Sequence, residues 1–306
     1  ASKVILNSAP VMLKGKCVYK YESTESGGTT VELTDTIYLS ELLTQLKSAG
    51  KLPLIYVPSQ FYESYLIADV WCELADYIRP FDLIYNDFVL EKVQDGYNIV
   101  YYAGTAADMV IPDSVEVEGV TLGDIIGIRS YAFNPYVRSV VLGSNITYLY
   151  AYSFAKAINL ESVDMSSSKL VSIGDYAFNM CYELDNVVLP DTVISVGNYA
   201  FAYCESLTNI QLRQVETIGD SAFIYCVGLT EIIVPETVTA LGTYIFNNCT
   251  NLIRLEIHST VPPTVSASGL YSSASIVQIY VPASAYGAYM NSPNWMRYEN
   301  RMHLLP

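Results

Sequence analysis

"SIGDYAFNMCYELDNVVLP", residues 172–190, returns as "SVGNYAFAYCESLTNIQL" at 195–212 and as "TIGDSAFIYCVGLTEIIVP" at 217–235. None of the three copies holds a His, Lys or Arg. A phrase so short of catalytic groups repeats for an architectural reason. Anchored on its Phe, it recurs at Phe133, Phe154, Phe178, Phe201, Phe223 and Phe246, with spacings of 21, 24, 23, 22 and 23. A regular period of that length is the signature of a stacked-coil array.

Other columns keep the same register. Five residues before each Phe stand Ile128, Leu149, Ile173, Val196, Ile218 and Leu241. Eight before stand Ile125, Ile146, Leu170, Val193, Val215 and Val238. After the Phe comes Leu, two variable residues, an aliphatic, one variable residue and an aliphatic: Leu184, Val187, Leu189, then Leu207, Ile210, Leu212, then Leu229, Ile232, Val234. The last step has period two, which predicts a short strand with both anchors facing in. Gly174, Gly197, Gly219 and Gly242 are expected to make the turn before the Phe, and Pro190 and Pro235 to end their strands. Each coil alone exposes an apolar flank that only its neighbour covers, so parallel strands stack at about 4.8 Å.

"IGDYAFNMC", followed by Leu184, Val187 and "LP" at 189–190, resembles the BspA-type leucine-rich repeat of surface proteins from oral and gut anaerobic bacteria. The resemblance covers residues 97–306, with "GYNIVYYAGTAADMVIPDSVEVEGVTLGDIIGIRSYAF" similar to the usual opening coil. "QIYVPASAYGAYMNSPNW" is similar to the usual ending, a cap at about 277–306. The copies at Phe133 and Phe154 depart from the pattern, lacking its Gly and Cys. The resemblance implies a mostly β leucine-rich-repeat solenoid of about six to seven coils. It also implies a cell-surface or secreted bacterial protein of adhesive function.

Residues 1–96 carry no such phrase, yet they contain a second ending. Residues 55–78 align with 279–302 at a constant offset of 224, with seven identities in 24 positions, including Trp71 against Trp295, the two Trp of the chain. Tyr62 and Tyr65 meet Tyr286 and Tyr289. The expectation is a strand ending in Pro, then a short helix with paired Tyr on one face, closing a coil stack. Residues 1–96 are thus read as a degenerate repeat and cap-like module. The competing reading is an unrelated small α+β domain with a helix over 40–50, stopped at Gly50.

The chain has 306 residues, a net charge of −15 and only 15% charged residues. Nucleic acid, whose phosphates need a basic surface, is excluded as a partner, and so is an anionic membrane surface. No apolar run is long enough to span a bilayer, and no signal peptide opens the sequence. His258 and His303 are the only histidines, which leaves little for acid–base catalysis or a multi-His metal site. Tyr outnumbers Phe 27 to 9, as suits half-buried, contact-making surfaces.

Cys181, Cys204, Cys226 and Cys249 each follow their Phe by three residues. Stacked coils would spread four sulfurs over roughly 15 Å, too far for one zinc, whose ligands lie at about 2.3 Å. A column of buried free thiols is expected instead. Cys17 and Cys72 lie outside the column, and whether they bridge stays open. Asp164 and Glu256 share a column but stand four rungs apart, roughly 19 Å, beyond the reach of a glycosidase pair. No P-loop, dinucleotide fingerprint or nucleophile elbow is present.

Binding is expected on the outward residues of the strands: Asp164, Val188, Gln211, Ile233 and Glu256 in one column, and Asn186, Asn209, Glu231 and Arg254 in the next. The expectation is a non-enzymatic, monomeric binding protein without catalytic, metal or cofactor site. Its partner would be a host protein, a glycan or another cell. The alternative is a rigid spacer that presents another domain at the cell surface.

Overall fold

The computed structural model describes residues 3–5, 18–23, 29–36, 54–61, 78–133, 135–270 and 277–305. The chain divides into two compact units, 1–94 with 99–105, and 95–98 with 106–306.

The second unit is a mostly β solenoid of about seven turns, with the coil spacing near 23 that the repeat predicts. Each coil supplies two short parallel strands. One row runs Asp108–Val110, Ser139–Val141, Ser162–Asp164, Asn186–Val188 and Asn209–Gln211, and continues as Glu231–Val234, Arg254–Ile257, Gln278–Val281 and Met302–Leu304. Its register is that of the repeat: Val140 pairs with Val163, Val163 with Val187, Val187 with Ile210. A second row begins at Val120–Ile128 and passes through Tyr148–Leu149, Ser172–Ile173, Ser195–Val196, Thr217–Ile218 and Ala240–Leu241 to Thr264–Val265. The sequence marks this row only as an aliphatic column, because two-residue strands are too short to display a period.

Between the rows stand the Phe of the repeat. Phe133, Phe154, Phe178, Phe201, Phe223 and Phe246 are all buried and stack face to face, with centroids 4.6 to 5.7 Å apart. A second stack, Tyr131, Tyr152, Tyr176 and Tyr199, runs two residues earlier at 4.7 to 5.3 Å.

The glycines before the Phe do not serve as left-handed turn residues. The left-handed positions are taken by Tyr176, Tyr199, Ser221 and Tyr244 before the Phe, and by Met180, Tyr203, Tyr225 and Asn248 after it. Glycine is needed for close approach instead. A Cβ on Gly219 would lie 2.6 Å from the Asn198 nitrogen, and one on Gly242 2.5 Å from the Asp220 nitrogen. The coils therefore touch backbone to backbone there, and side-chain oxygens seal the contact. Asp175 Oδ1 accepts from Asn198 N at 2.7 Å, Asn198 Oδ1 from Asp220 N at 2.8 Å, and Asp220 Oδ1 from Thr243 N at 2.6 Å.

The C-terminal end of the array is closed by helices Tyr286–Met290 and Pro293–Met296, before Met302–Leu304 adds the last strand. Trp295 is fully buried, donates from Nε1 to Pro263 O at 2.8 Å, and meets Tyr289 edge-on at 5.1 Å. Tyr289 in turn donates to Ser259 O at 2.9 Å.

In the first unit, Lys3–Ile5, Leu54–Pro58 and Ile78–Phe81 form a parallel sheet with Leu54–Pro58 at its centre, and Val18–Ser23 forms a hairpin with Thr29–Thr36. Leu83–Tyr85 and Phe88–Val93 form another hairpin. Ile55 pairs with Ile78, as Ile279 pairs with Met302, and a single 3-10 turn follows each leading strand at 59–61 and 283–285. The helix expected over 40–50, the paired Tyr62 and Tyr65, Trp71, Cys17 and Cys72 lie outside the described residues.

Candidate binding face

Alternation of burial along each three-residue strand aims its middle residue inward and its two flanks outward. Val163, Val187, Ile210, Ile232 and Leu255 are buried. The flanks make two outward columns, because the register is parallel without slip: Asn186 beside Asn209, Val188 beside Gln211, Glu231 beside Arg254, Ile233 beside Glu256. Asp164, Asn209, Gln211 and Glu231 are exposed, and Val188, Arg254 and Glu256 are half-buried. Asn186 holds its place in the strand, but its side chain lies outside the described residues. The columns also carry exposed aliphatics, Val110 at 68%, Val141 at 39% and Ile233 at 48%.

These residues do not form one continuous surface. The row is hydrogen-bonded from Asp108–Val110 to Asn209–Gln211, and again from Glu231–Val234 to Met302–Leu304. Among the described residues no ladder bond joins Asn209–Gln211 to Glu231–Val234. Asp164, Asn186, Val188, Asn209 and Gln211 thus fall on one side of a break, and Glu231, Ile233, Arg254 and Glu256 on the other.

The break adjoins the shortest loop of the row. Three residues separate Leu189 from Val193 and Val234 from Val238, but only Arg213 and Gln214 separate Leu212 from Val215. Arg213 takes a left-handed conformation, φ 41°, to close this tight turn, in which Val215 N donates to Leu212 O at 2.9 Å. Its guanidinium reaches back 3.1 Å to Asp191 on the preceding coil. On the other side, toward the following coil, an open recess of about 600 Å³ remains, lined by Asn209, Gln211, Arg213, Glu231, Ile233 and Glu236 among others. Sequence reasoning did not find this recess. Its signals were the spacing of 22 between Phe201 and Phe223 and the two-residue loop.

Beyond the break lies a charged cluster. Arg254 Nε donates to Glu256 Oε1 at 2.7 Å, and its Cζ sits 3.8 Å over the Tyr280 ring. Glu256 Oε2 lies 3.0 Å from His258 Nε2, the donor of the pair since a carboxylate only accepts. Hydrogen bonds from His258 and Arg254 together hold the Glu256 carboxyl below the usual carboxylate range. Tyr280 also meets the His303 ring, whose Nε2 hydrogen-bonds Gln278 Oε1. Both histidines therefore lie on this face. Asp164 is held low by the Oγ and backbone N of Ser166, at 2.6 and 2.9 Å.

The Cys column runs through the interior. Cys181, Cys204, Cys226 and Cys249 are free and buried, and each donates its thiol to the Phe carbonyl of the preceding coil at 3.0 to 3.3 Å. Burial pushes the thiol of Cys249 up to about 12 and the others up as well. Such thiols are neither nucleophiles nor ready metal ligands. Among the described residues, no group of His, Cys, Asp and Glu is arranged to hold a metal ion, and no helix is long and apolar enough to cross a membrane.

The BspA type leucine rich repeat region is matched in six copies over residues 113–212 and 171–292, more than half of the chain. The chain belongs to the BspA-type leucine-rich repeat family. Among solved structures, this BspA-type array is similar to a leucine rich cell surface protein from Faecalibacterium prausnitzii A2-165, at 20% identity over 67% of this chain and 72% of that one, with a TM-score of 0.46. It is similar to the T. pallidum leucine rich repeat protein at 20% identity over 70% and 92% of the two chains, with a TM-score of 0.44. A leucine-rich repeat protein from Bacteroides ovatus ATCC 8483 matches at 17% identity over 74% and 77%, with a TM-score of 0.30. No curated protein matches the chain.

Proposed function

We propose that this BspA-type chain is a non-enzymatic binding protein, exported to the bacterial surface or secreted. Its outward strand columns dock a macromolecule of a host or of another cell. The observation that carries the reading is the composition of those columns. They set exposed aliphatic side chains, Val110, Val141 and Ile233, among amides and carboxylates, and Val110 and Val141 are register partners on adjoining strands. Val110 and Val141 lie side by side rather than scattered, and an apolar patch rimmed by polar groups is the composition of an interface core. Export of the chain fits free thiols that are buried and inert, and fits its strongly acidic balance.

The test is a screen of the purified protein against immobilised matrix proteins and a glycan panel, repeated with Asp164→Lys and Val188→Arg together. Saturable binding that falls at least about tenfold in the variant supports the reading, a loss of about 1.4 kcal/mol. Binding that the variant leaves unchanged overturns docking on these columns. The absence of any ligand, with melting unchanged, supports the spacer role instead.

A further inference from the structure

We propose that the recess at the broken rung takes a lysine or arginine side chain presented by an extended segment of a protein partner. This rests on the reading of the strand columns as a binding surface and names what one part of them selects.

The first argument is shape. A cavity of about 600 Å³ is of a size that ligand sites use, and it opens on the outward columns. It exists because two adjoining strands, Asn209–Gln211 and Glu231–Val234, share no ladder bonds, so strand groups that pair elsewhere in the row face the gap. Asn209 and Gln211 stand at its edge with amides that bond to neither described side chains nor backbone, and an amide offers both a donor and an acceptor to a peptide unit.

The second argument is charge. Glu231 and Glu236 line the recess, and neither carboxylate has an ion-pair partner among the described residues. The basic groups nearby are already committed, Arg213 to Asp191 at 3.1 Å, Arg254 to Glu256 at 2.6 Å, and His258, which also lines the recess, to Glu256 at 3.0 Å. The unmatched charge of the recess is therefore negative, within a chain of net charge −15. A cationic group is steered toward such a field and is held there once partly desolvated. Ile233 and Pro235 supply an apolar wall for the methylene stem that carries the cation. His258 is the one ring among the lining residues, and no Trp, Tyr or Phe offers a sugar a broad face on which to pack.

The experiment selects a phage-displayed random peptide library on the whole protein and measures selected peptides by fluorescence polarisation. Each peptide is compared with its counterpart in which every Lys and Arg is replaced by Gln. Enrichment of basic residues is expected, with affinity falling at least about tenfold for the Gln counterparts and for the Glu231→Gln, Glu236→Gln double variant. Affinity should also weaken as salt rises, since the pairs lie near the surface. Replacing Arg213–Gln214 by Pro-Asp-Thr, the loop of the preceding coil, should close the recess and abolish basic-peptide binding without lowering the melting temperature. Peptides lacking basic residues, peptides indifferent to both recess variants, or no selected peptide at all would overturn the proposal. Binding lost in Asp164→Lys, Val188→Arg but kept in both recess variants leaves the strand columns as the interface and removes only the recess. Binding kept in all three removes both.

Discussion

Phe201 has a ring on either side, Phe178 at 5.1 Å and Phe223 at 5.5 Å, and no exposure. Truncating it to Ala empties a site that the neighbouring coils cannot fill, because glycines already hold their backbones in contact. The expected loss is about 3–5 kcal/mol, read from urea denaturation. A loss under about 1 kcal/mol would mean that the stack contributes little to the core. Glu256 behaves differently because it is on the surface. Its carboxyl titrates below the usual range, so its pairing stabilises the fold above the carboxylate pKa of the unfolded chain. That contribution disappears as pH falls through the lowered folded value. The wild type should therefore exceed Glu256→Gln by up to about 1 kcal/mol near neutral pH, with the gap closing in acid. Melting temperatures of the two proteins across pH check this, and a gap that widens toward acid would contradict the sign.

At the scale of the element, the array was legible because one buried ring, one buried thiol and three aliphatics recur at fixed offsets. Columns such as Phe178, Cys181, Leu184, Val187 and Leu189 leave no second register. The turn was not legible in the same way. Glycine before the Phe suggests a left-handed residue, but the close approach of coils claims the glycine and leaves Tyr176 and Tyr199 to take the left-handed angles. Period two alone predicts the outward strand positions, and the exposed Asp164, Asn209, Gln211, Glu231 and Ile233 occupy them. Their division into two blocks was not, since a missing ladder bond depends on how neighbouring loops differ in length. The N-terminal echo matches the C-terminal ending in strand register and in the 3-10 turn, at the same offset of 224. We propose that residues 1–96 are a repeat end with its own cap, in series with 97–306. A chain lacking residues 1–96 should then keep a cooperative melt and a β-rich far-UV spectrum. An insoluble or unfolded product would count against two modules.

In the whole solenoid, neighbours alone hold one another, so stability is a chain of interfaces between successive coils. Two of those interfaces, Phe178 to Phe201 and Phe223 to Phe246, carry two strand ladders, stacked Phe rings and an Asx contact. The interface between the coils of Phe201 and Phe223 lacks one ladder, and Ser221 ends the stack of Tyr131 to Tyr199 there, while Tyr203 and Tyr225 stack across it at 4.6 Å. Amide hydrogen exchange should accordingly protect Glu231–Val234 less than Ser162–Asp164, and equal protection would show the broken rung to be energetically silent. The consequence is mechanical. A stack pulled along its axis yields at its weakest joint before its strong ones. With one thinned joint near its middle, the array would part into two intact blocks rather than unravel coil by coil, and could close again when the tension is released.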